Sequence, residues 1–232
     1  HRETFRIGSN GSRDYVTRLF YDARGSAPGG KATQDAINVL TAKAMIDGPE
    51  REVFIRVGSH RAGSHGAAVY YDLGDPTWRA VEVTAAGWRV VEEPPVYFRR
   101  APGMLPLPEP VRGGSLSELR QFVNIEAEEW PLCAGYLAGM ARPTGPYPVL
   151  GILGEQGSAK TTFSLVLRNL IDPNTAGLRS TPRDVRDLVI AGKNGWVIAY
   201  DNLSGMPDWL SDALARVSTG AGFGTRMLHT DS

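Results

Sequence analysis

VLGILGEQGSAKTTFSLVL, residues 149–167, is the stretch on which the reading of the fold turns. An apolar run leads into a glycine-punctuated turn, and a lysine then opens a segment with helical spacing of its apolar residues. Gly154 to Thr161 meets the pattern G-x-x-x-x-G-K-[ST] at every fixed position but one, where Ala159 replaces glycine. The spacing predicts a strand over 149–153, a turn, and a helix over 160–170. In that setting the turn is a phosphate cradle: successive backbone N–H groups wrap the anion and the helix N-terminus adds partial positive charge. The residues expected to bind nucleotide are Gly154, Glu155, Gln156, Gly157, Ser158, Ala159, Lys160, Thr161 and Thr162. Lys160 is expected to reach the β/γ-phosphates, and the Thr161 hydroxyl to ligate Mg²⁺. Ala159 is tolerable if its backbone is already near-helical, as its place before the helix-opening lysine suggests, with Gly154 and Gly157 supplying the positive φ angles.

Such a loop needs a carboxylate on a neighbouring strand, because it supplies too few oxygen ligands for the metal by itself. The segment GWVIAYDNLS, 195–204, offers one: an apolar run over 196–200 of buried-strand type ends in Asp201. Thr161 and Asp201 are therefore the expected metal ligands. Lys160, Asp201 and Asn202 are the expected catalytic set. Asn202 stands where ATP-hydrolysing motors place a glutamate; it can orient water but cannot accept its proton, which points to slow or externally completed hydrolysis, and it also suits an Asx turn. Between the two motifs a short strand and a helix beginning near Thr181-Pro182 are expected. The order strand, loop, helix, strand, helix, strand implies an α/β unit with a parallel sheet.

Upstream the signals change. The segment RLFYDARGSAPGGK (18–31) reads as a short strand and a glycine turn, followed by a helix capped at Thr33 that ends at Gly48-Pro49. EVFIRV, AAVYYDL, RAVEV and GWRVV alternate like strands of an antiparallel meander, with Val53, Ile55 and Val57 on one face of the first. Residues 100–114 carry four prolines and three glycines, the composition of a stiff connector. The domain reading is thus a small α+β domain over 1–112 with that connector at its end, and a core over 113–232. Ser115 and Glu118 mark a capping box for a helix reaching Trp130-Pro131, and a second apolar helix follows in LCAGYLAGMA.

The 232 residues carry 25 basic and 25 acidic side chains and 42% hydrophobic residues, so the chain can bury a core, and no global positive field marks it for nucleic acid. A single cysteine, Cys133, excludes an internal disulfide framework and suits a reducing, cytoplasmic setting. No apolar run is long enough to suggest a membrane helix. A start at His1 without methionine, and an end at Ser232, suggest an excised, C-terminally truncated piece.

Taken together, YPVLGILGEQGSAKTTFSLVLRNLIDPN, DVRDLVIAGKNGWVIAYDNLSGMPDWLSDALARVSTGAGFGTRMLHTD and YYDLGDPTWRAVEVTAAGWRVVEEPPVYFRR resemble the ATP-binding proteins of phages and integrated mobile elements. Those are related to primase-associated helicases of superfamily three, within the AAA+ group. The resemblance implies a P-loop NTPase core, ATP and Mg²⁺ as cofactors, homo-oligomeric, hexameric assembly around DNA, and ATP-driven unwinding in element replication. It further implies that Arg226, in STGAGFGTRMLHTD, lies in a DNA-facing region, and that a sensor residue and an arginine finger would follow Ser232. The alternative is a regulatory or loading protein that binds ATP as a switch and unwinds nothing.

Other residues carry less. His60 and His65 share a Gly/Ser loop, but two histidines with no third ligand do not make a zinc site. Arg89, Arg99 and Arg100 are candidates for a nucleic-acid backbone, or for a solvated sheet face. Trp78, Trp88 and Tyr97 are candidates for base stacking, or for core packing.

Overall fold

The computed structural model describes residues 3–61 and 67–220. It begins with a helical hairpin, α1 (Asn10–Arg24) and α2 (Gly30–Ile46). The expected N-terminal strand is instead the C-terminal half of α1. Ser9 caps that helix by accepting from the Ser12 N–H, and Gly25 closes it at φ 70°, so local capping overrides the aromatic, strand-like composition. In α2 the start lies at Gly30. Thr33 is inside the helix, its hydroxyl turned back to the Gly29 carbonyl.

The meander forms as β2 (Val57–Arg61), β3 (Ala67–Asp72), β4 (Ala80–Thr84) and β5 (Gly87–Val91), antiparallel throughout and adjacent in chain order. EVFIRV is not one strand. Arg56 adopts φ 60°, which breaks the run and leaves β1 (Val53–Phe54) to pair in parallel with β6 (Tyr97–Phe98) in a second, two-stranded sheet. Tyr70, Ala80, Val96 and Phe98 form a small core between these strands.

The proline-rich stretch is tied down on both sides. Leu107 donates to the Leu73 carbonyl, Leu105 to the Pro173 carbonyl, and Thr175 to the Gly103 carbonyl, so 103–107 lies between the sheet and the C-terminal half. The capping box of Ser115 and Glu118 forms, yet it opens only a 3₁₀ helix over Leu116–Phe122. The longer helix expected there stops at Val123, which is extended. Helix α3 (Trp130–Met140) includes Trp130 and Pro131, because proline in a first turn gives up an N–H that would be unpaired anyway.

Three more helices follow: α4 (Lys160–Asn169), α5 (Val185–Lys193) and α6 (Asp208–Thr219). α5 is capped by Asp184, whose side chain accepts from the Asp187 N–H, rather than by Thr181. Cys133, Leu137, Met140, Leu167 and Val197 make the core of this half, with Phe163, Val166 and Trp196 packed on it. The strand expected over 149–153 does not form: that segment makes no ladder hydrogen bonds among the described residues, and Leu153 is 95% exposed. The strand expected over 196–200 does not form either: the chain bends at Trp196 and Val197, and among the described residues the segment makes a single parallel bridge, Tyr200 with Arg179. No helix among the described residues is long and apolar enough to cross a membrane.

Candidate nucleotide site

The turn between Leu153 and α4 owes its shape to Gly154 at φ 156° and Gly157 at φ 83°. At Gly154 a side chain would also meet the Ser158 hydroxyl at 2.8 Å. Ala159 is not near-helical as the sequence suggests: it sits at φ 64°, ψ 20°. That is the left-handed region, where the Cβ of an L-residue crowds the following carbonyl oxygen. Ala159 therefore occupies a conformation that asks for glycine. It is the N-cap of α4 and provides no side-chain acceptor, so no side-chain cap engages the helix's opening N–H groups.

Lys160 folds back over the loop. Its ammonium donates to the Gly154 carbonyl at 2.9 Å, the Glu155 carbonyl at 2.6 Å and the Ser158 hydroxyl at 3.4 Å. Glu155, Gln156 and Gly157 are exposed, as are Thr161 and Thr162 one turn on. The Thr161 hydroxyl donates to Asp201 Oδ2 at 3.1 Å across 40 residues of sequence. The other carboxylate oxygen accepts from the Asn202 N–H at 2.9 Å, with Asn202 at φ 58°, a left-handed backbone at which asparagine is among the few residues at ease. Lys160, Thr161, Asp201 and Asn202 are thus gathered at one edge of the protein, while Arg226 lies outside the described residues.

Asp201 is held from its neighbour as well. Arg179 donates to the Ala199 carbonyl and accepts from the Asp201 N–H, both at 3.0 Å, and beyond these two parallel segments an open depression is lined by Leu178, Arg179, Ser180, Thr181, Asp201 and Asn202. Of the site residues it takes in Asp201 and Asn202, but none of the loop residues 154–162. Next to Asp201, the buried Tyr200 hydroxyl has no hydrogen-bond partner among the described residues, and burial pushes its pKa up.

The donor set suits a magnesium nucleotide. A glycine-shaped turn, a helix start without a side-chain cap and an ammonium resting on nearby carbonyls match a polyphosphate, and a hydroxyl beside a carboxylate matches a hard divalent cation. Phosphate oxygens would replace the loop carbonyls as partners of Lys160, and Thr161 with Asp201 would hold the ion, which would neutralise charge on the phosphates. Among the described residues no group of three or more His, Cys, Asp and Glu side chains could hold a metal by itself.

The candidate nucleic-acid contacts in the sheet are otherwise employed. Arg100 clamps both oxygens of the buried Asp72 at 2.9 and 2.7 Å, donates to the Asp75 carbonyl, and lies 3.9 Å from the Trp78 ring centroid. Arg99 donates to the Lys193 carbonyl and Arg89 pairs with Glu82. Trp88 lies under Arg112. Of the histidines, His60 is on β2 and His65 is outside the described residues.

Two buried residues around the site were not singled out by sequence reasoning. Asp172, 1% exposed, accepts from the N–H groups of Trp196 at 2.8 Å and Val197 at 3.0 Å, where the segment leading to Asp201 begins. Arg56, fully buried, donates to the other Asp172 oxygen at 3.2 Å, to the Asp72 carbonyl at 2.9 Å and to the Leu105 carbonyl at 2.7 Å. Burial pushes the Arg56 guanidinium down from its ordinary pKa, and the charge of Asp172 opposes the shift. The one available signal was a charged residue inside the alternation of EVFIRV.

Residues 114–232, just over half of the chain, match the family model described as actinomycete integrative conjugative element replication protein. Neither curated proteins nor solved structures provide a match.

Proposed function

Because the chain belongs to the family of actinomycete integrative conjugative element replication proteins, we propose that it is an ATP-binding, ATP-hydrolysing motor of the helicase type that acts on DNA in element replication. In this reading the C-terminal half is a P-loop NTPase core of AAA+ character, preceded by the small sheet unit. The observation that carries it is the Thr161–Asp201 hydrogen bond, which joins the last residue of the phosphate-loop pattern to a carboxylate 40 residues away. Nothing in the chain order requires those two to meet, and a magnesium nucleotide site does.

The residues divide the work. The backbone of 154–162 and Lys160 bind and orient the phosphates; Thr161 and Asp201 hold the metal; Asn202 aligns a water molecule without accepting its proton. DNA and further copies of the chain are the partners this reading assigns. Binding of a fluorescent ATP analogue tests it: Lys160→Ala is expected to weaken Mg²⁺-dependent binding by at least about tenfold, since the ammonium is the charge within reach of the phosphates. Unchanged binding would sink the site assignment.

Asn202 favours a second reading, in which ATP acts as a switch and nothing is unwound. A fork-unwinding assay separates the two. ATP-dependent strand separation that disappears in Asp201→Ala supports the motor; nucleotide binding without strand separation supports the switch.

A further inference from the structure

The N-terminal end of α4 and the chain just past its C-terminal end are both fastened to one segment, residues 196–201. At the helix's N-terminal end the Thr161 hydroxyl holds Asp201; just past its C-terminal end Asp172 holds the N–H groups of Trp196 and Val197. Helix and segment run in opposite directions and close a frame. The place of the Asp201 carboxylate is therefore set at both ends, by Thr161 beside it and by Asp172 at the far corner.

That far corner is not made by the C-terminal half alone. Asp172 carries a charge in a fully buried position, and the cation that answers it is Arg56, 116 residues away in the sheet unit and outside the stretch that matches the family. Arg56 is in turn over-determined. It is fixed by the Asp72 and Leu105 carbonyls and held at φ 60°, a strained backbone for an arginine that persists only when its surroundings enforce it. Arg168, buried on α4, anchors the same corner by donating to the carbonyls of Asp172, Ala176 and Gly177.

We propose that Asp172, braced by Arg56 from the N-terminal sheet, is a positioning residue for Asp201, so that the sheet unit tunes the metal affinity of the nucleotide site. This rests on the magnesium nucleotide reading given above. Arg56 and Asp172 touch neither phosphate nor metal in this scheme. They act on the metal ligand through the register of residues 196–201.

The test uses the whole chain and three variants: Asp172→Asn, Arg56→Met, and the double variant Arg56→Met/Asp172→Leu. The double variant removes both charges, and buried ion pairs replaced by apolar residues of similar volume are often no less stable. The first measurement is the Mg²⁺ concentration giving half-maximal binding of a fluorescent, non-hydrolysable ATP analogue, alongside binding of that analogue without metal. Groups that orient a metal-ligating residue typically alter metal affinity by about 10–100-fold. Asp172→Asn and the double variant are expected to raise the half-maximal Mg²⁺ concentration by about tenfold or more while metal-free binding stays as in the wild type. A merely structural pair predicts otherwise: the variants lose stability but, once folded, keep the wild-type Mg²⁺ requirement, and that result overturns the proposal.

The second measurement is amide hydrogen exchange over 196–201, which needs no nucleotide. Faster exchange at Trp196 and Val197 in Asp172→Asn, with α3 unaffected, supports the frame even if the wild type binds no nucleotide, an outcome that would refute the nucleotide reading alone. Exchange unchanged in all three variants overturns the frame itself.

Discussion

Ala159→Gly is the substitution on which the loop geometry can be judged most directly. Ala159 holds φ 64°, ψ 20° at the start of α4, and its carbonyl accepts the Phe163 N–H at 2.9 Å, so the residue cannot leave the left-handed region without losing the first turn of the helix. An L-residue with a Cβ carries about 1–2 kcal/mol of strain there. Glycine removes that strain but gives the unfolded chain more freedom, a cost of about 0.4–1 kcal/mol. The balance is a net stabilisation of about 0.5–1 kcal/mol, which for a chain of this length raises the melting temperature by roughly 1–4 °C. Ala159→Val, β-branched and out of place in this region, is expected to move it the other way. Thermal unfolding followed by circular dichroism reads both. Because the strain belongs to the loop with or without nucleotide, it cancels from the binding equilibrium, and the affinity of Ala159→Gly for an ATP analogue is expected to match the wild type. A melting temperature that falls on Ala159→Gly, or a valine variant as stable as the wild type, would refute the left-handed assignment and return Ala159 to the near-helical conformation that the sequence suggests.

Two further outcomes are expected. Asn202→Gly keeps a residue at ease at φ 58°, so the fold and the Asp201 turn survive; loss of ATP turnover with unchanged thermal stability gives Asn202 a role in orienting water, whereas full turnover leaves it as a turn residue only. For Asp75, burial works to raise the carboxyl, but the side-chain and backbone hydrogen bonds from Arg79, with Thr77, outweigh it and hold its pKa below the ordinary 3.8. A depressed carboxylate contributes stability that is present above its ordinary pKa and lost as pH falls through the folded value. The stability gap between wild type and Asp75→Asn in urea titrations is therefore expected to be constant near neutrality and to close below pH 3.8; a gap that widens on acidification contradicts the ion pair.

Particular elements show why some of the fold was legible and some was not. Three strands of the meander, β3 to β5, were legible as short β-prone runs between turns, whereas the first, β2, lies a few residues past the expected EVFIRV because Arg56 breaks that run. Helix α4 was legible because the lysine and the apolar spacing act within a dozen residues, but the loop before it was read only in part, since Ala159 is left-handed and not near-helical. The strand expected at 149–153 was inferred from apolar composition. A strand exists only by its ladder partners, and among the described residues this segment has none. Helix α1 was misread because Leu19, Phe20 and Tyr21 have the composition of a strand, while its ends are fixed by Ser9 and Gly25. The break at Arg56 was illegible for a different reason, since nothing local makes an arginine adopt a positive φ.

The sequence by itself picked out the glycine-turn residues 154–162 and the carboxylate Asp201 as candidates, and the antiparallel order of the sheet, because each depends on backbone preferences and side-chain spacing that act over a few residues. Only the tertiary structure decided that Thr161 meets Asp201, that Arg100 serves Asp72 instead of an outside partner, and that Arg56 reaches across 116 residues to Asp172. In a chain with 25 basic and 25 acidic side chains, composition leaves the pairing of distant charges open. Packing closes it, because a charge buried away from water needs its partner in contact, and the fold alone fixes which partner that is.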